Sequence, residues 1–371
     1  MNNCIVEYND ITAFHPGYYV AEVIEDMGIT QEEFAARLNT TPKTVSQLVN
    51  GQCNLSKDLA KKLSAMLGTS PEVWLNLQTA YEQKLIEIEQ EKELPAQVMI
   101  LDMIDYRYFE AFGLPHTRSA KEKISNLCGF LGIATLQLLR QPDLVANFRT
   151  GVSTVEEKNI VNSQTWLLLA LRCATQISTQ PYSEEKLKAA LPEIRGMTVQ
   201  APDVFLPRLC ELLAECGVAF VLLPNLKNSG VNGVMKWVSP DRAVLAINAR
   251  RAYADIFWFS LFHELKHVLQ HKTKTAFISL HAEEQQTVNQ KLEDEADTFA
   301  RNALIPPKEY EKFAPSSATT DDQICAFAAS IGIHPGVVVG RMQHDKIIPH
   351  SRCSSLRQRY TVEIAAREAE A

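Results

Sequence analysis

Apolar residues recur at helical spacing through roughly the first 80 positions of the chain. In GITQEEFAARLN, Phe34, Ala35 and Leu38 share one face, Thr30 stands where an N-cap would, and Glu33 follows at the capping-box interval. TTPKTVSQLVNG repeats the pattern: Pro42 suits a first turn, Val45, Leu48 and Val49 make the apolar face, and Gly51 is a stop signal. The two helices are joined by a turn of about four residues, the spacing of a helix-turn-helix. SKDLAKKLSAMLG and SPEVWLNLQTAYEQ add two amphipathic helices begun by Ser56 and Ser70, so this stretch reads as all-helical. EQKLIEIEQEKELP then predicts a charged helical linker ending at Pro95.

Downstream, the pattern stays helical through TWLLLALRCATQI and LPRLCELLAECG, where periodicity predicts packing and no particular chemistry. VAFVLLP then has the content of a buried strand, and GVMKWV and AVLAIN flank the turn residues Ser239, Pro240 and Asp241, which predicts a small sheet. After it come FHELKHVLQH, the helical QKLEDEADTFARNAL stopped by Pro306 and Pro307, and a helix near DDQICAFAASIG. The fold class expected is α+β and mostly α. Its divisions are 1–81 for the helix-turn-helix domain, 82–95 for the linker, 96–200 for a helical region without an assigned role, 201–350 for the domain containing the sheet, and 351–371 for a charged tail. FHPGYYV at 14–20 and IHPGVVV at 333–339 echo each other, but a shared tripeptide does not establish a repeat.

A chain of 371 residues exceeds twice a typical domain, and its 46% hydrophobic and 22% charged content is that of an ordinary globular protein. No apolar run approaches the roughly 20 residues of a membrane span. The start, MNNCIVEYND, lacks the basic and apolar segments of a secretory signal, so a cytoplasmic location is expected. The eight cysteines form no CxxC pair and read as reduced thiols. Net charge is −7, yet residues 37–62 carry Arg37, Lys43, Lys57, Lys61 and Lys62 against the single acid Asp58. Local sign governs contact with phosphate, so this segment is suited to nucleic acid where the whole chain is not.

The sharpest chemistry lies in FHELKHVLQH. His263 and His267 are four apart and can bind one ion from one helix face, with Glu264 beside them, which is HExxH spacing. His271 is about 12 Å of helix from His263 and cannot complete the site. The third-histidine variant of the motif fails because Gln270 and Thr273 occupy its Gly and His positions. His281 is one source of a third ligand, and LEDEADTFARNALIP offers a better one. There Leu292, Ala296, Phe299, Ala300, Ala303 and Leu304 make an apolar stripe into which Glu293 falls, with Asp297 at its edge, whereas Asp294 and Glu295 point elsewhere. A carboxylate on a buried face needs a cation or donors. Glu293 is therefore the expected third ligand and Asp297 an acceptor for a ligating histidine's ring N–H. Two histidines and one carboxylate leave a zinc position open for water, whose proton Glu264 would take as general base during attack on a peptide carbonyl. His334, His344, Arg341 or a tyrosine could assist at the oxyanion. The strand pattern before the motif suggests a sheet edge where an extended segment could add.

In the N-terminal segment, the second helix of the pair would enter the major groove with Lys43, Thr44 and Gln47 at base edges and Thr41 and Ser46 nearby. Gln31, opening the preceding helix, could reach a phosphate. One such helix reads few bases, so a homodimer on a double-stranded operator is implied.

The stretch from HPGYYVAEVIEDMGITQEEFAARLNTTPKTVSQLVNGQ to WLNLQTAYE resembles the HigA-type antitoxin branch of the Xre-like helix-turn-helix proteins. WFSLFHELKHVLQH with EDEADTFARNALIP resembles the ImmA/IrrE metallopeptidase family, which implies a zincin-like domain. By that resemblance His263, His267 and Glu293 match the zinc ligands and Glu264 the catalytic base. Lys266, where the family often has Gly, and Ala303, where Leu is common, are departures that touch no ligand. The resemblance implies a DNA-binding regulator carrying a zinc endopeptidase, with a repressor or antitoxin as substrate or a toxin as partner. The rival expectation is a non-catalytic antitoxin or repressor that uses the zincin fold as a scaffold, against which Glu264 counts because a scaffold needs no general base.

Overall fold

Two short runs rich in β-branched and aromatic residues, IVEY and ITAF, pair near the start of the chain as an antiparallel hairpin, β1 (Ile5–Tyr8) and β2 (Ile11–Phe14). Tyr8 faces Ile11, so Asn9 and Asp10 form a two-residue turn, with Asn9 in the left-handed region at φ 51°. The N-terminal domain is thus not wholly helical as expected; runs of four residues are too short for periodicity to reveal, and the Asn-Asp pair was the available signal. The computed structural model describes residues 4–141, 156–249, 253–270 and 282–360, with side chains from 291 in the last segment. The chain divides into two compact units between Val98 and Met99.

In the first unit, α1 (Pro16–Asp26), α2 (Gln31–Arg37), α3 (Pro42–Val49), α4 (Lys57–Leu67) and α5 (Pro71–Leu101) follow the hairpin. Thr30 and Ser56 cap the next helix by accepting a backbone N–H, as their sequence positions suggested, and Thr41 does the same for α3. Phe34, Ala35, Leu38, Val45, Leu48, Leu63 and Trp74 meet in one core. Helix α5 runs through Pro95, which therefore does not end the linker; the division into units falls three residues later. The residues on both sides are good helix formers, and the helix spans the proline without the N–H it lacks.

The second unit begins with α6 (Arg107–Glu110), α7 (Ala120–Leu131), α8 (Glu157–Ala174), α9 (Glu184–Gly196) and α10 (Pro202–Glu215). A three-stranded sheet follows, built from β3 (Val218–Leu223), β4 (Gly233–Ser239) and β5 (Arg242–Asn248) in the order β3-β5-β4. Strand β5 is central, parallel to β3 and antiparallel to β4, and from Ala243 onward it is wholly buried; β4, one of the two outer strands, is more exposed, with only Val234 and Met235 buried. Next come α11 (Ala254–Leu269), α12 (Ala282–Leu304), α13 (Pro307–Phe313), α14 (Asp321–Ser330) and α15 (Pro335–His344). Helix α11 is apolar nearly all round and lies in the middle of the core, where Trp258, Leu261, Phe262, Leu265 and Val268 have no exposed surface.

The segment after residue 350, expected to be a charged tail, is part of this core as far as it is described. The Trp258 indole N–H donates to Tyr360 Oη at 2.7 Å, and Arg357 makes a bidentate pair with Asp255 at 3.1 and 2.7 Å. Two buried partners on α11 outweigh the charge that suggested solvation. The echoed HPG tripeptides also acquire a cause: His15 and His334 are both N-caps whose Nδ1 accepts the N–H of Gly17 or Gly336, with Pro16 and Pro335 in the first turns. Gly17 is needed as well, since a β-carbon there would lie 1.8 Å from the Leu48 carbonyl oxygen. The echo is one local device used twice. No single helix among the described residues is long and apolar enough to cross a membrane.

Candidate functional site

His263 and His267 project from one face of α11, and their Nε2 atoms lie 3.0 Å apart. From α12, Glu293 sets Oε2 at 3.2 Å from His263 Nε2 and Oε1 at 3.3 Å from His267 Nε2. The fully buried Ala296 and Ala300 let the two helices approach this closely. An ion bonded tetrahedrally at about 2.0–2.1 Å holds neighbouring donors roughly 3.3 Å apart. The two ring nitrogens and the two oxygens of the Glu293 carboxylate lie at about that spacing, and one donor atom from each of the three residues lies within 4.8 Å of the others.

The other ring nitrogens are engaged. His263 Nδ1 is 3.0 Å from Asp297 Oδ1, and His267 Nδ1 is 2.9 Å from Gln270 Oε1. The Gln270 amide is oriented by its own donation to the Leu292 carbonyl at 3.3 Å and to Glu295 Oε2 at 3.2 Å. With both Nδ1 atoms donating, each Nε2 turns a lone pair toward the other and toward a carboxylate. Such a grouping of lone pairs is repulsive unless a cation or a proton sits among them, so the donor set fits a metal ion.

The electrostatics agree. Burial pushes the His263 imidazole down, but hydrogen bonds to Asp297 and Glu293, with the charges of Glu264 and Glu293, lift it to about 9. Burial would raise the Glu293 carboxyl, yet the hydrogen bonds and charge of the two histidines hold it well below the carboxylate range. A proton on His263 thus takes the place a cation would fill.

Glu264 is 9% exposed and lies against the head of the edge strand: a β-carbon on Gly233 would come within 2.9 Å of its Cγ and 3.2 Å of its Oε1. Gly233 and Gln270 both escaped the sequence reading. A glycine opening a strand signals close approach, whereas Gln270 entered only as a departure from a longer histidine motif. Glu295, which the helical wheel turned away from the stripe, instead holds Gln270. His271 and His281 lie outside the described residues. The candidate oxyanion helpers have local roles: His334 caps α15, Arg341 pairs with Asp345 at 2.6 Å and lies over the Tyr310 ring, and His344 is 3.2 Å from Asp345. Lys266 places its Nζ 5.7 Å from the Phe299 ring centroid.

In the first unit, Gln31 and Lys43 are exposed and Ser46 and Gln47 half-buried on the outer side of the helix pair. Thr41 and Thr44 are committed to each other, with hydroxyls 2.8 Å apart and the Thr44 N–H donating to Thr41 Oγ1. Lys62 donates to the Asn39 carbonyl at 3.0 Å and pairs with Asp58, which fastens α4 to the helix-turn-helix turn.

Comparison with known proteins matches two family descriptions, "Helix-turn-helix" over residues 20–74 and "IrrE N-terminal-like domain" over residues 220–342. Among curated relatives, the uncharacterized HTH-type transcriptional regulator YddM of Escherichia coli is 33% identical over 86 residues, 22% of this chain and 92% of that protein. Antitoxin HigA-1 of Vibrio cholerae is 44% identical over 61 residues, 16% of this chain and 57% of that protein. Among solved structures, an addiction module antidote protein of the HigA family from Coxiella burnetii is 30% identical; the match covers 23% of this chain and 92% of that one, with a TM-score of 0.21.

Proposed function

Because the chain belongs to the helix-turn-helix transcriptional regulators through one domain and carries an IrrE-like peptidase-family domain as another, we propose that it is a DNA-binding regulator that also acts as a zinc-dependent endopeptidase on a specific partner protein. The observation that carries the enzymatic half is the cluster of His263, His267 and Glu293 with both Nδ1 atoms occupied. These three residues would hold the zinc, and Asp297 and Gln270 would orient its imidazole ligands. When bound, zinc supplies Lewis-acid polarisation of the scissile carbonyl and of water. Glu264 takes the proton of the attacking water on a carboxylate oxygen and delivers it to the leaving amine nitrogen as the C–N bond breaks. The edge position of β4 beside Glu264 supports entry of the substrate as an extended strand.

In the first unit, Lys43 and Gln47 would contact base edges, with Thr41, Thr44 and Ser46 beside them and Gln31 at a phosphate, in a homodimer on a palindromic operator. A second reading draws on the relatives described as antitoxins. There the protein neutralises a toxin stoichiometrically, and the zinc fold is a binding surface.

Purified protein should contain one zinc per chain, lost in His263→Ala and Glu293→Ala and kept in Glu264→Gln. Incubation with the product of the adjacent reading frame should give a single cut that Glu264→Gln slows by about 10²–10⁴-fold. A cut unaffected by Glu264→Gln defeats the assignment of the base, and full zinc in Glu293→Ala defeats that of the third ligand. Tight binding without any cut favours the antitoxin reading.

A further inference from the structure

In α8, which lies outside both family matches, the four consecutive residues Asn162, Ser163, Gln164 and Thr165 are polar and at most 2% exposed. Four successive positions cover all sides of a helix, so α8 is enclosed at this level and each of these groups needs a hydrogen-bond partner. Thr165 Oγ1 returns to its own helix, donating to the Val161 carbonyl at 2.7 Å. Asn162 Nδ2 donates to the Met103 carbonyl at 2.8 Å and Gln164 Nε2 to the Gln141 carbonyl at 3.0 Å, which ties α8 to the chain before α6 and after α7. Ser163 reaches elsewhere: its hydroxyl donates to the Ser229 carbonyl, in the loop between β3 and β4. Almost one turn on, the Trp166 indole N–H donates to the Pro224 carbonyl at 3.1 Å, and Tyr108 Oη of α6 donates to the same oxygen at 2.8 Å.

That loop, residues 224–232, runs directly into Gly233, whose missing β-carbon leaves room for Glu264. From the other side Asn248, the last residue of β5, donates its Nδ2 to the Val231 carbonyl and its backbone N–H to the Asn232 carbonyl, both at 2.8 Å. The sheet is held between two layers in the same way. Phe220, Met235, Leu245 and Ile247 share a core with α11. The alternate residues Ala219, Val221, Val244 and Ala246 are also buried, on the opposite face, where α8 packs.

We infer that Tyr108, Ser163 and Trp166 are positioning residues for Glu264: they fasten the β3–β4 loop from the α8 side and so hold the head of β4 against the Glu264 side chain. The inference rests on the endopeptidase reading for the chemistry that Glu264 performs. Ser229 is four residues from Gly233, at most about 13 Å of extended chain, so a loop released at Pro224 and Ser229 carries Gly233 with it. A β-carbon at Gly233 would lie 2.9 Å from Glu264 Cγ, an approach that leaves the side chain no play on that side. Retreat of the strand would give the carboxylate a freedom that the present packing denies it.

Hydrogen exchange and cleavage by the zinc-loaded full chain test this together. Tyr108→Phe and Ser163→Ala each remove one hydroxyl that holds the loop, and Thr165→Val, which removes a hydroxyl bonded within α8, controls for damage to the helix. Exchange of the amides in residues 224–236 should quicken about tenfold in the Tyr108→Phe, Ser163→Ala double variant and stay at the wild-type rate in Thr165→Val, because a buried carbonyl deprived of its donor is costly. Zinc content should remain one per chain. Cutting of the product of the adjacent reading frame should fall about 10–100-fold in kcat, with KM within about twofold of wild type. The same pair of substitutions should have no further effect on the residual cutting by Glu264→Gln, whereas a general structural fault would slow both proteins alike. Tyr108→Phe alone carries the same comparison if the double variant does not fold. Unchanged exchange in 224–236, equal quickening by Thr165→Val, or equal slowing with and without Glu264 would overturn the assignment. Failure of the endopeptidase reading would register separately, as no Glu264-dependent cut by the wild type, and the exchange comparison would then still decide whether the loop is held by these residues.

Discussion

His263 is held toward its protonated form by Asp297, Glu293 and Glu264. Its value of about 9 in the metal-free fold lies above the roughly 6.5 of an unfolded histidine. Its contribution to stability is therefore fully present below about 6.5 and is lost as pH rises through about 9. Metal binding runs the other way, because the cation must displace that proton. Zinc affinity should climb with pH up to about 9, with close to one proton released per ion at neutral pH, measurable by calorimetry in buffers of different ionisation enthalpy. Release of no proton between pH 6 and 8 would show that His263 is already neutral. Gln270 offers a separate test. Its amide joins His267 to Leu292 and Glu295, so Gln270→Ala should weaken zinc binding about 10–100-fold with little change in melting temperature of the metal-free protein. Gln270→Glu, which keeps the acceptor oxygen, should recover much of the affinity.

Among the elements, the two HPG helix starts make a matched pair. Each cap satisfies one backbone donor that would otherwise be orphaned, and a lost cap costs about 0.5–2 kcal/mol. His15→Ala and His334→Ala should each lower thermal stability by that order, while His15→Asn and His334→Asn should restore part of it; a His334→Ala protein of unchanged stability but reduced turnover would return that residue to the list of oxyanion helpers. Strand β4 shows how an element's place in the sheet governs its use. Because β5 takes the centre, β4 keeps one edge unpaired among the described strands, and the smallest residue, Gly233, is where Glu264 packs.

At the scale of the whole molecule, chemistry is divided between two units: a helix-turn-helix with the basic stretch 37–62 in one, a metal-type cluster in the other. Each should be removable by substitution without disturbing the other. In the full chain, Lys43→Ala or Gln47→Ala should weaken operator binding by roughly tenfold, a share of the few kcal/mol a base-edge contact supplies. Zinc content should stay at one per chain. Glu264→Gln should leave operator affinity unchanged, as electrophoretic or fluorescence titration would show. Operator affinity equal to wild type in the Lys43→Ala, Gln47→Ala double variant would remove α3 from the groove.

The amino-acid sequence by itself determined the helical pair and its caps, the sheet's three strands, and the i,i+4 register of His263 and His267. All of these depend on residues within a turn or a strand of one another, where periodicity and side-chain chemistry act directly. It also pointed to Glu293 as the third donor, because an apolar stripe marks which side of a helix is buried. Which atom meets the two rings, that Gln270 and Glu295 brace one of them, that Gly233 makes room for Glu264, and that Tyr360 and Arg357 belong to the core were decided by tertiary structure. Apart from Gln270 against His267, three positions away, these contacts join residues from about 25 to more than 100 positions apart. They depend on how closely two helices and a strand approach, which follows from the packing of Ala296, Ala300 and the whole buried face of α11 and is not encoded in any local pattern.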